Sequence, residues 1–333
     1  SDLIVPTGVG KQVRQFLSEK DKISVHLADN GILDYKGTIP LYDYQKDAVE
    51  AMQRTSCGIL QSPCGSGKTQ MGIALAAELS RKVLWITHTQ DLLTQSKTRA
   101  EQYFPEETLG TITAGKAQVG SHITFATVQT LCKMDLDQFR YTWDVVIVDE
   151  CHRLAGSPTQ VTMFYKVMNG LAARHKYGLS ATVHRSDGMI KSTFAVLGPV
   201  IYKVPDEAVA DKTMQVRILQ RNTDITVSRS CLDTDGTLDY NELLSYLGGN
   251  RERNEMIVKD LVNHSCLILA SRLEQLRNIM DLLPDELRSI SAMIDGGMTS
   301  KKGKAEREAA IEDMRTGRKK ILFASFGLAK EGL

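Results

Sequence analysis

Two short motifs in this sequence carry residues that could act on a nucleoside triphosphate. The first, at residues 65–69, reads Gly-Ser-Gly-Lys-Thr and follows a short apolar run. Its glycines let backbone N–H groups converge on phosphate oxygens at the start of a helix. The second, at residues 149–152, reads Asp-Glu-Cys-His and follows a strand-like run at 143–148. A phosphate loop followed by an acidic pair at a strand end predicts hydrolysis of a nucleoside triphosphate.

The residues of these motifs have distinct expected roles. We expect Lys68 to bind the β- and γ-phosphates, while Thr69 and Asp149 hold Mg²⁺. Glu150 can then orient or deprotonate the attacking water. The loop residues expected to contact the nucleotide are Pro63, Cys64, Gly65, Ser66, Gly67, Lys68 and Thr69.

Each motif also has a structural alternative. The loop departs from the strict GxxxxGKT pattern, because Ser62 stands where the first glycine would be, and it could be a glycine-rich turn before a helix. The acidic pair could be a surface turn. The flanking strand and helix, and the presence of both motifs in this order, favour the functional interpretation. Cys64 could be an alkylation target, but a small loop-filling residue is the favoured interpretation.

The composition is typical of a globular protein with room for two domains. The 333 residues are 42% hydrophobic and 24% charged, with a formal net charge of +1. That charge excludes a uniformly basic nucleic-acid coat but leaves room for a local cationic groove. No apolar run approaches the roughly 20 residues of a membrane helix, and no signal peptide opens the sequence. The six cysteines form no Cys-x-x-Cys pair, so we expect reduced thiols inside a cell rather than a zinc site.

Alternating strands and helices are expected to position the motifs, as in a parallel sheet covered on both faces. Strands are predicted at residues 57–61, 83–87, 109–113, 123–126, 145–148 and 177–179, with helices at 69–79 and 91–103. A second α/β run has predicted strands at 266–270, 288–294 and 320–325, with helices at 273–283 and 301–315. Between the two runs, residues 214–219 alternate as a strand. Near the start, residues 23–27 and 32–35 flank an Asp-Asn-Gly turn signal and predict a hairpin.

This pattern divides the chain into four expected regions. They are an N-terminal extension at 1–40, an α/β lobe at 41–205, a linker or insertion at 206–236 and a partial second lobe at 237–333. The second lobe shows fewer elements than the first and looks incomplete. At the junction of the linker and this lobe, residues 233–242 resemble a calcium loop, but Cys231 falls where the first ligand should be. We therefore favour a polar turn that caps a helix at 238–247.

Further segments resemble the superfamily-two helicases, and within them the XPB-type DNA-repair and phage helicases. The resemblance extends over residues 41–333, and its segments outside the two motifs are residues 41–45, 86–95, 125–131, 180–182, 184–188, 295–296, 307–308 and 325–333. Within residues 180–188 the sequence departs from the usual pattern at Val183, where the family has proline.

The resemblance implies roles for residues outside the phosphate loop. Gln45 would read the adenine, and His152, which also has metal-ligand chemistry, would couple the nucleotide state to the neighbouring lobe. The residues that would link the ATP state to the grip on nucleic acid are Ser180, Ala181 and Thr182. The residues that would contact nucleic acid are Thr87, Thr89, Gln95, Thr127, Gln129 and Arg185.

The implied fold is α/β, with two tandem RecA-like P-loop lobes, the second truncated, and a small β-containing N-terminal extension. The implied activity is that of an ATP-dependent helicase or translocase that uses ATP and Mg²⁺ and acts on nucleic acid, with DNA favoured over RNA. The family's final motif, which supplies arginine fingers, has no counterpart before Leu333. We therefore expect weak hydrolysis unless a protein partner, or an internal arginine such as Arg185 or Arg307, supplies that charge. The expected location is the cytoplasm of a bacterial or phage-infected cell.

Two other functions compete with this interpretation. One is a nucleotide-gated module that clamps nucleic acid with little turnover. The other is a small-molecule kinase, against which residues 180–182 and the second lobe both argue. Basic residues near the ends of the predicted helix at 301–315 suit phosphate contact, although such a charged face is often simply solvated. These residues are Lys301, Lys302, Lys304, Arg315, Arg318, Lys319 and Lys320.

Overall fold

The computed structural model contains two compact units, Ser1–Val216 and Arg217–Leu333. It describes residues 5, 9–18, 26–113, 115–155, 158–182, 190–211, 217–261, 265–298 and 300–330. The boundary between the units falls inside the predicted linker, while the division into four regions stays a prediction. Among the described residues, no helix is both long and apolar enough to cross a bilayer.

The first unit is built on an eight-stranded sheet. Its strands are β1 (Cys57–Gln61), β2 (Val83–Thr87), β3 (Leu109–Thr113), β4 (Lys116–Gln118), β5 (Ile123–Thr127), β6 (Val145–Val148), β7 (His175–Ser180) and β8 (Val200–Lys203). They are ordered β4-β3-β5-β2-β6-β7-β1-β8, and only the β3–β4 pair is antiparallel. Its helices are α1 (Gly10–Arg14), α2 (Asp43–Gln53), α3 (Lys68–Leu79), α4 (Gln90–Glu101), α5 (Val128–Lys133), α6 (Pro158–Gly170), α7 (Ile190–Leu197) and α8 (Asp206–Val209).

Apolar side chains fill both faces of this sheet. Along β2, Trp85 belongs to one buried cluster and its neighbours Leu84 and Ile86 belong to the other, as the two-residue period of a strand requires. Helix α3 approaches the sheet closely at Gly72, where a Cβ atom would lie 2.6 Å from the Trp85 ring. The strands are therefore buried on both sides, which explains why they read as continuous apolar runs.

The start of the chain differs from the prediction. The described residues among 1–40 contain the short helix α1 but no strand, so residues 26–35 do not form the predicted hairpin, while residues 23–25 lie outside the described part. The turn signal itself is real, because Gly31 has a φ of 82°. However, the flanking backbone bonds to the body of the unit: Leu33 N donates to Ser80 O at 2.9 Å. The Asp-Asn-Gly turn therefore forms, although the described residues on either side of it do not pair as strands.

The second unit has a three-stranded parallel sheet, ordered β10-β11-β9. Its strands are β9 (Cys266–Ala270), β10 (Ser291–Ile294) and β11 (Ile321–Ser325). Its helices are α9 (Tyr240–Gly249), α10 (Arg251–Asp260), α11 (Leu273–Asp281), α12 (Asp285–Ser289), α13 (Lys301–Arg315) and α14 (Phe326–Lys330). Residues 217–219 form no strand, contrary to the prediction for 214–219, whose residues 214–216 lie outside the described part.

The calcium-like segment is a helix cap. Asp239 accepts hydrogen bonds from Asn241 N at 2.7 Å and Glu242 N at 3.1 Å at the start of α9. Asp235 accepts from Thr237 N at 3.0 Å within the preceding turn. Within the described ranges, no cluster of three or more His, Cys, Asp or Glu side chains could hold a metal ion. The prediction of a capping turn is confirmed, although the helix begins two residues later than expected.

Candidate active site

One edge of the large sheet gathers most of the predicted site residues. Five parallel strands end there side by side, in the order β1, β7, β6, β2, β5, and a predicted functional segment lies at the end of each. We call the ends of β1, β7 and β6 the phosphate-side stretch and the ends of β2 and β5 the outer stretch. Since neighbouring strands lie about 4.8 Å apart, the edge from β1 to β5 spans roughly 19 Å.

The phosphate loop connects β1 to α3, with Lys68 as the first residue of the helix. Gly67 has a φ of 83°, a left-handed conformation that glycine adopts without strain. Ser62, which replaces the glycine of the strict pattern, is fully buried, and its hydroxyl lies 2.5 Å from that of Ser66. Because the Ser66 hydroxyl donates to Pro63 O at 2.6 Å, the Ser62 hydroxyl must be the donor to Ser66. The departure therefore adds a bond inside the loop.

Gln45 lies under this loop with only 4% of its surface exposed. Its Nε2 donates to Ser66 O at 2.9 Å, and its Oε1 accepts from Tyr42 N at 2.9 Å. A Cβ atom at Gly67 would lie 2.5 Å from Gln45 Nε2, so the glycine is also needed for this close approach. Gln45 thus ties the start of α2 to the phosphate loop, and its predicted contact with adenine stays a prediction.

A cavity of about 490 Å³ opens beside Gln45 and the loop. Its wall includes Tyr42, Tyr103 and Arg99, together with Gln70, whose Nε2 donates to Tyr103 OH at 2.8 Å. Aromatic rings and a guanidinium plane are groups on which a nucleobase can stack. The cavity is therefore large enough and suitably lined for a base attached to phosphates held by the loop.

The acidic pair follows β6 directly. Asp149 is 4% exposed, and burial, reinforced by the neighbouring charge of Glu150, raises its pKa to about 6, although the positive charge of Lys68 opposes the shift. Its Oδ1 accepts from Glu150 N at 3.0 Å, while Ser96 Oγ lies 3.5 Å from its Oδ2. A buried carboxylate with so few partners is costly to ionise alone, and a bound cation would relieve that cost.

Glu150 lies between two basic side chains. Its Oε1 is 3.6 Å from Lys68 Nζ, and its Oε2 is 3.3 Å from His152 Nδ1. Its backbone φ is 47°, in the left-handed region that residues other than glycine rarely adopt. This conformation and the two contacts hold the carboxylate beside the start of α3.

A further hydrogen bond extends from His152 to the end of β7. His152 Nδ1 lies 2.9 Å from Ser180 Oγ, and that hydroxyl donates to Thr182 O at 2.6 Å. Because the serine proton is used there, Nδ1 of His152 must carry a proton and donate to Ser180. The structure thus joins five of the predicted residues in one connected chain of contacts, namely Lys68, Glu150, His152, Ser180 and Thr182.

The outer stretch uses its polar side chains differently. Thr89 caps α4 by accepting from Leu92 N at 3.3 Å, and Thr127 caps α5 by accepting from Thr130 N at 3.4 Å. The hydroxyl of Thr87 donates to Thr89 O at 3.0 Å. These residues lie at one edge as predicted, and their contact with nucleic acid stays a prediction. Gln95 is exposed on α4, and Arg185 lies outside the described residues.

Sequence reasoning missed a pair that bridges the two stretches. Arg153 Nη1 lies 3.0 Å from His88 Nε2. Burial, followed by the positive charges of Arg153 and His152, lowers the pKa of His88 to about 4. Both residues stand inside or beside segments already singled out, but no local signal joins two side chains 65 positions apart.

Comparisons with known proteins include a match to the part of the chain that carries both motifs. A family profile described as "Type III restriction enzyme, res subunit" matches residues 38–185. The "DNA 3'-5' translocase XPB2" of Sulfurisphaera tokodaii is 25% identical over 95% of this chain and 77% of its own length. The "Putative ATP-dependent RNA helicase L396" of Acanthamoeba polyphaga mimivirus is also 25% identical, over 94% of this chain but only 60% of its own length.

The fold is shared with a solved structure. Dbp5 of S. cerevisiae, bound to Gle1, aligns with a TM-score of 0.55 at 16% identity over 85% of this chain and 68% of that one. This likeness supports the predicted α/β fold of tandem RecA-like lobes. Residues 38–185 therefore match that profile, and the chain as a whole is similar to proteins named as helicases and translocases.

Proposed function

We propose that this chain binds ATP with Mg²⁺ at the phosphate-side stretch and uses its hydrolysis to move along or remodel DNA. The observation that carries the proposal is the connected chain of contacts from Lys68 through Glu150 and His152 to Ser180. A phosphate-binding cation, a candidate base and a coupling hydroxyl therefore respond to the same bound nucleotide.

The donors around the loop fit a magnesium ion. Asp149 offers a buried carboxylate whose raised pKa shows that its ionised form lacks compensating positive charge. Thr69 offers a hydroxyl at the start of α3. Mg²⁺ usually keeps several waters and takes one or two protein ligands together with substrate phosphates. Two protein oxygens beside a phosphate loop match this coordination preference. The bound ion would neutralise charge on the transferred phosphoryl group.

Glu150 supplies the water-activating group in this proposal. Lys68 holds its carboxylate next to the start of α3, where the terminal phosphate would lie, and His152 contacts its other oxygen. The carboxylate can accept a proton from a water aligned with that phosphate. His152 and Ser180 would then transmit the change in charge to the end of β7.

DNA as the substrate rests on the outer stretch and on the relatives. The outer stretch lies on the same sheet edge, within about 19 Å of the phosphate loop. The archaeal relative is named a DNA translocase and the viral relative an RNA helicase, so the choice of DNA requires an experiment. The expected protein partner and cytoplasmic location stay predictions, although the six free thiols suit a reducing compartment.

The decisive experiment measures ATP hydrolysis by the chain alone, with and without Mg²⁺ and with single-stranded DNA, duplex DNA or RNA. We expect Mg²⁺-dependent hydrolysis that DNA increases more than RNA does. ATP-dependent DNA binding without turnover would instead identify a nucleotide-gated module. Hydrolysis that no nucleic acid changes would contradict the proposal. Strand displacement with 3′- and 5′-tailed duplexes would then distinguish unwinding from translocation and give its polarity.

A further inference from the structure

Arg153 extends from the acidic pair toward the outer stretch. It belongs to the short 3-10 helix Cys151–Ala155, and its backbone N donates to Glu150 O at 2.9 Å. Its side chain reaches the other way, to His88, which directly follows β2. A single residue therefore contacts both the backbone of the candidate base and the segment predicted to grip nucleic acid.

The protonation state of His88 fixes the direction of this contact. With its pKa lowered to about 4, the ring is neutral near pH 7. Arginine only donates, so Nε2 of His88 must be the acceptor and Nδ1 must carry the ring proton. Within the part of the chain that the structure describes, this buried Nδ1 has no hydrogen-bond acceptor. The ring orientation is therefore set mainly by Arg153.

The main chain of His88 is held from the opposite side. Gln129 Nε2 donates to His88 O at 2.8 Å from the first turn of α5. The three residues Arg153, His88 and Gln129 thus follow β6, β2 and β5, which are neighbours in the sheet. They form a continuous strap of hydrogen bonds across the boundary between the two stretches.

We propose that Arg153 is a positioning residue that makes the placement of Glu150 depend on nucleic acid at the outer stretch. The inference rests on the proposed function. Nucleic acid that binds against Thr89 or Gln129 displaces the His88 ring. The Arg153 side chain then moves with His88 Nε2, to which it donates. Because the Arg153 backbone is bonded to Glu150 O, that movement reaches the candidate base directly.

The test compares ATP hydrolysis with and without saturating single-stranded DNA in four variants. Arg153→Met keeps the length of the side chain and removes its donors, and His88→Ala removes the acceptor. His88→Gln offers a replacement acceptor, and the fourth variant combines His88→Ala with Arg153→Met. Arg174→Met is the matched control, because Arg174 lies just before β7 at the opposite edge and contacts Asp29 at 3.6 Å.

We expect Arg153→Met and His88→Ala each to lower the stimulation by DNA about tenfold, within the usual range of coupling between two sites. Basal hydrolysis, the KM for ATP and the Kd for DNA should change less than about twofold. The double variant should lose no more of the stimulation by DNA than either single variant, because both substitutions remove the same contact. His88→Gln should recover part of the stimulation.

Three results would overturn the inference. They are unchanged stimulation in both single variants, additive losses in the double variant, or basal and stimulated rates that fall together. Thermal melting of each variant identifies one that fails to fold, and the remaining single variant still decides the question. If the wild-type chain itself shows no stimulation by nucleic acid, the proposed function fails, which is a separate outcome.

Discussion

The two stretches of the same sheet edge use polar side chains in opposite ways. In the phosphate-side stretch, charged groups contact one another at the ends of neighbouring strands, as Lys68, Glu150 and His152 do. In the outer stretch, Thr89 and Thr127 are neutral and bond to the backbone of the helices that follow them. The first arrangement places polar and charged groups in contact before any reaction, at the cost of partly burying them, while the second fixes the starts of the helices α4 and α5. Changes in the two stretches should therefore affect different measurements.

The largest expected effect follows from removing the loop cation. Lys68→Ala should lower ATP turnover by at least about 10³-fold, because Lys68 is the cation that the phosphate loop places at the start of α3. The fold should remain intact, with a similar melting temperature. Lys46→Ala is the control, since Lys46 is exposed on α2 and pairs with Asp43 at 2.9 Å. Full-rate hydrolysis by Lys68→Ala would show that the loop is only a structural turn.

Glu150→Gln should lower turnover by about 10²- to 10⁴-fold while ATP and Mg²⁺ still bind, because the amide keeps the shape of the side chain and loses its basicity. Single-turnover hydrolysis and nucleotide binding measured separately would show this split. Glu106→Gln, at an exposed position, is the control. A loss of only about twofold would remove Glu150 from the chemistry.

The raised pKa of Asp149 predicts an acid limit for nucleotide binding. Mg²⁺ binds the ionised carboxylate, so the affinity for Mg²⁺–ATP should fall by about tenfold per pH unit below pH 6. Titration calorimetry between about pH 5 and 8 would measure it, along with the proton released on binding. In the free protein the sign is opposite: the folded state binds this proton more tightly, so the contribution of Asp149 to stability rises as the pH falls from about 6 to about 4.

Glu150→Gln also tests the origin of that limit. It removes a neighbouring negative charge that raises the pKa of Asp149, so the acid limit should move to lower pH. An unchanged limit would assign the titration to another group.

A smaller effect separates two roles of Gln45. Gln45→Glu replaces the donor to Ser66 O by an acceptor, so the affinity for ATP should fall about tenfold. If Gln45 acts by holding the loop, GTP and inorganic tripolyphosphate should lose the same factor. A loss confined to ATP would show that it reads the base instead. Gln70→Glu is the control, because Gln70 lines the same cavity and bonds to Tyr103 rather than to the loop.

The smallest effect belongs to the outer stretch. Thr127→Val keeps the shape of the side chain and removes the cap of α5, which should cost about 1 kcal/mol of unfolding free energy. Denaturant unfolding monitored by circular dichroism would measure it. Thr94→Val is the control, because that hydroxyl only donates back to Gln90 O within α4. Equal stability of the two variants would mean that Thr127 does not act as a cap.

The elements that the sequence predicted best are those whose signal is local. β6 (Val145–Val148) is buried on both faces and reads as an unbroken apolar run, and α13 (Lys301–Arg315) was predicted with its observed bounds. β8 (Val200–Lys203) was missed, because it is half-exposed, whereas β6, of the same length, is buried on both faces. The hairpin was wrong because its turn signal is also satisfied by an extended segment bonded to the body of the unit. Whether the residues on either side of a turn pair with each other or with a distant segment is not encoded in the turn itself.

The same limit applies to the candidate site. The phosphate loop and the acidic pair can be identified in the sequence from their residue types and spacing. The bond between Arg153 and His88, and the two bonds that occupy the amide of Gln45, depend on which strands become neighbours. Sheet order is a global property, and no window of sequence around either residue contains it.

The left-handed backbone at Glu150 has an evolutionary consequence. At a φ of 47°, glycine would be the more stable residue by roughly 1 kcal/mol, yet the water-activating role proposed for Glu150 requires a carboxylate. The position therefore carries a trade-off between stability and activity. Protein engineering that selects for thermal stability alone would favour glycine at this position and would yield a more stable protein without the proposed activity. Improvements to this chain should leave residue 150 untouched and seek stability elsewhere.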